Sequence, residues 1–151
     1  MKKFFLLLTV FVLFGVAACK KDKSPTDLLT GTDWQMKGWT VTPPIFGITD
    51  YYANAEACEK DDFIRFNKNG TAVFDEGATK CDAADPQTET STWAFNNNET
   101  EITFDLNDDP TTFKIKELTE DTFKLETSFE DDIDEDGVNE TFTFTLTFEA
   151  K

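Results

Sequence analysis

From Thr141 to Phe148 the chain reads Thr-Phe-Thr-Phe-Thr-Leu-Thr-Phe. Phe142, Phe144, Leu146 and Phe148 therefore share one face of an extended segment, and Thr141, Thr143, Thr145 and Thr147 the other. A two-residue period of this kind belongs to a β-strand with one packed and one wet side. Shorter runs repeat it: Phe123, Leu125 and Phe129; Phe113 and Ile115; Ile102, Phe104 and Leu106; Trp93 and Phe95. Further strands are expected at Ala72–Glu76, at Phe63–Phe66 and from Trp34 to Thr42, where Pro43-Pro44 ends the first of them. The connections at Asn67–Gly70, Asn96–Glu99, Asn107–Pro110 and Thr119–Asp121 are short and turn-like, which joins sequential strands as antiparallel neighbours. A short helix is expected at Tyr51–Ala57.

About eight such strands hide their common apolar face by folding into a sandwich or by closing on themselves. Closure also abolishes exposed edges, which are an aggregation hazard in strands so rich in Phe and Thr. The expected fold is all-β, an up-and-down antiparallel barrel of about eight strands.

The first residues are a targeting segment and stand outside that fold. Lys2 and Lys3 are followed by an apolar run, Phe4 to Phe14, too short to span a bilayer. Val16-Ala17-Ala18-Cys19 resembles the lipobox of bacterial lipoproteins. That resemblance implies cleavage before Cys19, a diacylglycerol thioether on its sulfur, and acylation of the new amino group. Two or three acyl chains anchor stably where one would be marginal. Lys20 after the cysteine implies, by the same resemblance, the outer membrane, and leaves the periplasmic and outer faces undistinguished. Residues 1–18 are thus expected to be signal peptide, 19–29 a lipidated tether, and 30–151 one domain of the cell envelope.

Thirty acidic residues against 14 basic ones give a formal charge of −16, more negative still once Lys2 and Lys3 are lost. Such a surface repels phosphate, so nucleic acid is not an expected partner. With Cys19 assigned to the anchor, Cys58 and Cys81 remain as an even pair, and in an oxidising compartment a disulfide between them is expected. It would join the two long irregular connections, 43–62 and 77–88.

Gly31-Thr32-Asp33-Trp34, the block Ala57-Cys58-Glu59-Lys60-Asp61-Asp62, the turn Phe66-Asn67-Lys68-Asn69-Gly70-Thr71 and Asp75-Glu76-Gly77-Ala78-Thr79-Lys80-Cys81 together resemble the lipocalin-like domain of Gram-negative lipoproteins. Thr92-Trp93-Ala94-Phe95 and Lys114-Ile115-Lys116-Glu117-Leu118 extend the resemblance across most of residues 28–148. It implies a lipocalin-like barrel that binds a small apolar molecule.

The chain contains no histidine, so Ser–His and Cys–His nucleophile pairs and histidine-ligated zinc are absent, and no enzyme is expected. Asp132-Ile133-Asp134-Glu135-Asp136-Gly137-Val138-Asn139-Glu140 places oxygen ligands at alternate positions with glycine at the sixth. Asp132, Asp134, Asp136, the Val138 carbonyl and Glu140 are candidate ligands for a weakly held, structural Ca2+, in the ~10⁻⁴–10⁻³ M range of extracellular modules. Trp34, Trp93, Phe144 and Phe148 are the expected lining of an apolar pocket. The competing expectation is a barrel filled by these rings, serving as a structural or interaction module that contacts a membrane-protein partner, with calcium stiffening the acidic hairpin.

Overall fold

A computed structural model of the chain describes residues 22–106 and 109–151. The expected signal peptide, Cys19 with residues 20 and 21, and residues 107 and 108 of one expected turn lie outside the described residues. The element order is α1 (Pro25–Leu29), β1 (Asp33–Ile45), β2 (Ile48–Asp50), α2 (Tyr51–Asn54), β3 (Phe63–Phe66), β4 (Thr71–Asp75), β5 (Thr88–Asn96), β6 (Glu101–Leu106), β7 (Asp109–Leu118), β8 (Thr122–Asp131) and β9 (Glu140–Ala150). Strands β3 to β9 pair antiparallel in chain order, β1 pairs with β3, and β9 returns to pair with β1. The result is a closed eight-stranded antiparallel barrel, with β2 added as a short flap on the far half of β1.

The expected strands all form, and the alternation of β9 is used as read: Phe142, Leu146 and Phe148 are buried. β1 required one device that the sequence did not announce. Its register with β9 shifts between Met36 and Gly38, so one extra residue lets Trp34 and Met36 on the near side, and Trp39 and Val41 beyond it, stay on the face that meets Phe148, Leu146 and Phe144. A side chain at Gly38 would stand 3.4 Å from Thr147 Cβ, a tolerable but close fit against β9. β1 also runs past Pro43-Pro44 to Ile45. The prolines are accommodated because they fall in the irregular stretch between the Thr40–Asp50 and Ile45–Ile48 pairs.

The folded unit starts earlier than the expected boundary at residue 30. Ser24 caps α1 by accepting a hydrogen bond from Asp27 N at 3.1 Å, Pro25 supplies the first turn, and Leu29 is fully buried. The Leu29 carbonyl accepts from Trp34 Nε1 at 2.8 Å, tying the helix to the start of β1. Residues 25–29 therefore belong to the domain and not to a tether. Around them lies the main core, with Trp34, Phe66, Phe104, Phe123 and Phe148 each no more than 2 % exposed. A second, smaller cluster of Val41, Ile45 and Phe142 sits where β1, β8 and β9 extend toward the acidic hairpin.

Candidate ligand-binding site

The core does not fill the barrel. A cavity of about 300 Å³ is bounded by Trp34 and Met36 from β1, Ile64 from β3, Phe74 from β4, Phe104 from β6, and Leu146 and Phe148 from β9. Its walls are held from behind. Trp34 is fixed by its bond to Leu29 and packs on Phe123 with ring centroids 5.5 Å apart. Phe104 stacks on Phe113 at 4.9 Å and meets Phe66 edge-on at 5.8 Å.

The mouth is built differently, by the two irregular connections. Asp50 caps α2 through Ala53 N at 2.9 Å, and the helix delivers Tyr52 and Ala55 to the cavity, while Tyr51 stacks on Trp39 at 5.0 Å. Cys58 and Cys81 are joined as a disulfide with their Cα atoms 5.3 Å apart, stapling this segment to the connection after β4. Asp61 completes the junction: its Oδ2 accepts from Ala78 N at 2.8 Å and Thr79 N at 3.0 Å. Gly77 makes that approach feasible, since it has φ +66° and a Cβ there would lie 2.5 Å from the Asp61 carbonyl oxygen.

Four carboxylates also bound the cavity: Glu59, Asp62, Asp75 and Glu76. Burial, and then the charges of Glu76, Asp61, Glu59 and Asp75, push Asp62 up to about 6. A carboxyl raised in this way takes up its proton more readily folded than unfolded. Asp62 therefore weakens the fold progressively as pH rises from about 4 to about 6, and the penalty is full above that window.

The family profile of the lipocalin-like domain matches residues 29–125, from the last residue of α1 into the first half of β8. The chain belongs to the lipocalin-like domain family. No curated protein matches it. A lipocalin-like fold is typically a binding fold, and the cavity lies where the closed barrel leaves room for a small molecule.

Two of the four expected lining residues of this lipocalin-like barrel, Trp34 and Phe148, reach the cavity; Trp93 and Phe144 do not. Trp93 is consumed as packing, with Phe95 and Phe66 edge-on at 5.2 and 5.7 Å and its Nε1 donating to Asn67 O at 2.9 Å. Phe144 lies in the second cluster against Phe129 at 5.6 Å and Tyr51 at 6.1 Å. Period two assigns a face but no depth, so Met36, Phe74 and Phe104 carried the same signal as these two. Glu59, Asp62 and Glu76 sit outside the regular alternation, where no periodic signal reports them.

At the tip of β8 and β9, the carboxylates of Asp132, Asp134 and Asp136 converge to within 4.8 Å of one another. The loop is wound by its own side chains: Asp132 accepts from Asp136 N at 3.0 Å and from Gly137 N at 2.8 Å, and Asp136 Oδ1 accepts from Val138 N at 2.8 Å. Glu135 and Gly137 take the left-handed conformation, with φ 60° and 89°. Glu140 stands apart from the trio, opening β9 opposite Asp131. The Val138 side chain points to solvent, 62 % exposed.

Proposed function

We propose that this lipocalin-like domain is a carrier or sensor of a small apolar ligand, held at the outer membrane by a lipid on Cys19. The cavity behind Trp34, Phe74, Phe104 and Phe148 is the observation that supports the reading. At about 300 Å³ it stands at the lower end of ligand pockets, which suits a two-ring aromatic or a short acyl chain. Desolvation of apolar surface drives binding there, while the anionic outer face offers little such gain. An apolar naphthalene-based probe should quench the fluorescence of Trp34 and Trp39, which both border the cavity. Ala55→Trp, which fills the mouth from a half-buried position, should weaken that binding at least tenfold without lowering the melting temperature. Undiminished binding in this variant would place the probe elsewhere and end the carrier reading.

The anchor is tested separately. Metabolic labelling with a radioactive fatty acid is expected to tag the wild type and leave Cys19→Ser unlabelled; a labelled Cys19→Ser protein refutes it.

A second reading makes the rim formed by the β1–β2 turn and the β8–β9 hairpin an interaction surface for a membrane-protein partner. It is favoured by Phe46, 84 % exposed at the β1–β2 turn, and by the acidic hairpin at the same end. In both readings Asp132, Asp134 and Asp136 bind Ca2+ weakly and so stiffen the hairpin. Calcium should raise the melting temperature by mass action, and Asp134→Ala with Asp136→Ala should abolish the rise. Equal stabilisation by magnesium at the same ionic strength would mean charge screening and no site.

A further inference from the structure

The cavity combines two chemistries that an apolar ligand alone does not use. Its interior wall is aromatic and aliphatic, and its boundary carries Glu59, Asp62, Asp75 and Glu76. An acidic chain scatters carboxylates over its whole surface, so their number is no argument; their placement is. Asp62 Oδ1 is enclosed and has no hydrogen-bond partner. Glu59 turns one oxygen to Glu56 N at 2.6 Å, and Asp75 one to Gly77 N at 3.0 Å. Among the described residues no lysine or arginine forms an ion pair with any of the four. The nearby cations leave the four carboxylates without an ion pair: Arg65 pairs with Asp33 and feels Asp75 only at longer range, and Lys60 and Lys151 lie at the rim over the Tyr52 and Phe63 rings, at 5.3 and 3.9 Å.

We infer that the ligand of this cavity is an amphipathic monocation, an aromatic or alkyl amine whose apolar body fills the barrel and whose ammonium group rests at the acidic mouth. The inference builds on the small-ligand reading and names its ligand class. Like charges crowded around a partly buried carboxylate are costly, and burial with Glu76, Asp61, Glu59 and Asp75 already raises Asp62 to about 6. A bound ammonium reverses that cost, most strongly beside the enclosed Asp62 Oδ1. Aromatic faces add to it: Trp39 and Phe74 border the same cavity, beside Tyr52 and Phe63, whose rings hold the chain's own lysines. A carboxylate-bearing ligand of the same shape meets the opposite field and is rejected.

The test uses three near-isosteric probes on the purified protein: 1-naphthylmethylamine, 1-naphthalenemethanol and 1-naphthoate, with affinities measured by calorimetry at pH 7.5. The amine is expected to bind at least tenfold tighter than the alcohol, and the carboxylate most weakly. Asp62→Asn with Glu76→Gln should reduce the amine's advantage to threefold or less and leave the alcohol unchanged. Asp134→Asn with Asp136→Asn removes the same charge from the β8–β9 hairpin, which does not line the cavity, and should leave the advantage intact. Equal binding of amine and alcohol overturns the inference while sparing the small-ligand reading, and so does an advantage lost equally in both double variants. Failure of all three probes to bind defeats the small-ligand reading, and the inference with it.

Discussion

Replacing Phe123 by alanine is expected to lower the free energy of unfolding by about 3–5 kcal/mol, measured by urea denaturation. Phe123 is 1 % exposed and its ring is enclosed by Trp34, Phe66 and Phe148 at 5.5, 6.0 and 5.8 Å between centroids. Those neighbours sit on three different strands of a closed barrel, so none can move inward without breaking its ladder, and the void stays open. The loss is then the transfer term plus the cavity term. Trp34 and Phe148 also border the ligand cavity, so the new void should merge with it and admit a bulkier probe. Phe129, stacked on Phe142 but 39 % exposed, is the internal comparison, and its alanine variant should lose clearly less. Equal losses at the two positions would show that the barrel collapses around Phe123 and that its core is not rigidly framed.

Breaking the Cys58–Cys81 bridge with a Cys58→Ser, Cys81→Ser double variant should lower stability by about 3 kcal/mol, chiefly by freeing the loop in the unfolded chain. The effect on function follows from position. The bridge joins the segment that carries Tyr52, Ala55 and Glu59 to the one that follows Glu76, and all four residues bound the cavity. Without it, apolar probe binding should weaken even where the domain remains folded, because ordering the mouth is then charged to the ligand. Two free thiols in protein taken from an oxidising compartment would refute the bridge. Unchanged probe affinity in a folded double variant would show that the mouth is held by Asp61 alone.

What the sequence disclosed and what it hid divide along physical lines. The Phe and Thr alternation of Thr141–Phe148 reports a half-buried strand directly, and short turns such as Asn67–Gly70 leave few topologies, so closure was readable. The parity change in β1 was not, because Lys37 and Gly38 look like any exposed pair until β9 supplies the register. α1 is hard to read although Ser24-Pro25-Thr26-Asp27 is a helix start; five residues of helix have no periodic face, and Leu29 acquires its meaning only through Trp34. The cysteines were legible by counting. The acidic mouth was not, since Glu59, Asp62, Asp75 and Glu76 are brought together by two connections that only the bridge and Asp61 hold in place. Trp93 and Phe144 went astray for the opposite reason: their faces were right, and their heights along the barrel were unknown.

The first strand of the barrel hydrogen-bonds to the last, over eight pairs from Trp34–Ala150 to Thr42–Thr143. A ribosome delivering this chain therefore releases β1 long before its seam partner β9 exists, and the seam stays open until β9 emerges. Pairing of this kind is slow, because the two seam strands are far apart in the chain and meet only after the sequential hairpins between them have formed. During that interval both seam strands expose unpaired amides, and the Phe-rich face of the sheet is uncovered. Until β9 pairs with β1 such a chain lacks its closed form, so it remains extensible and its uncovered sheet is prone to association.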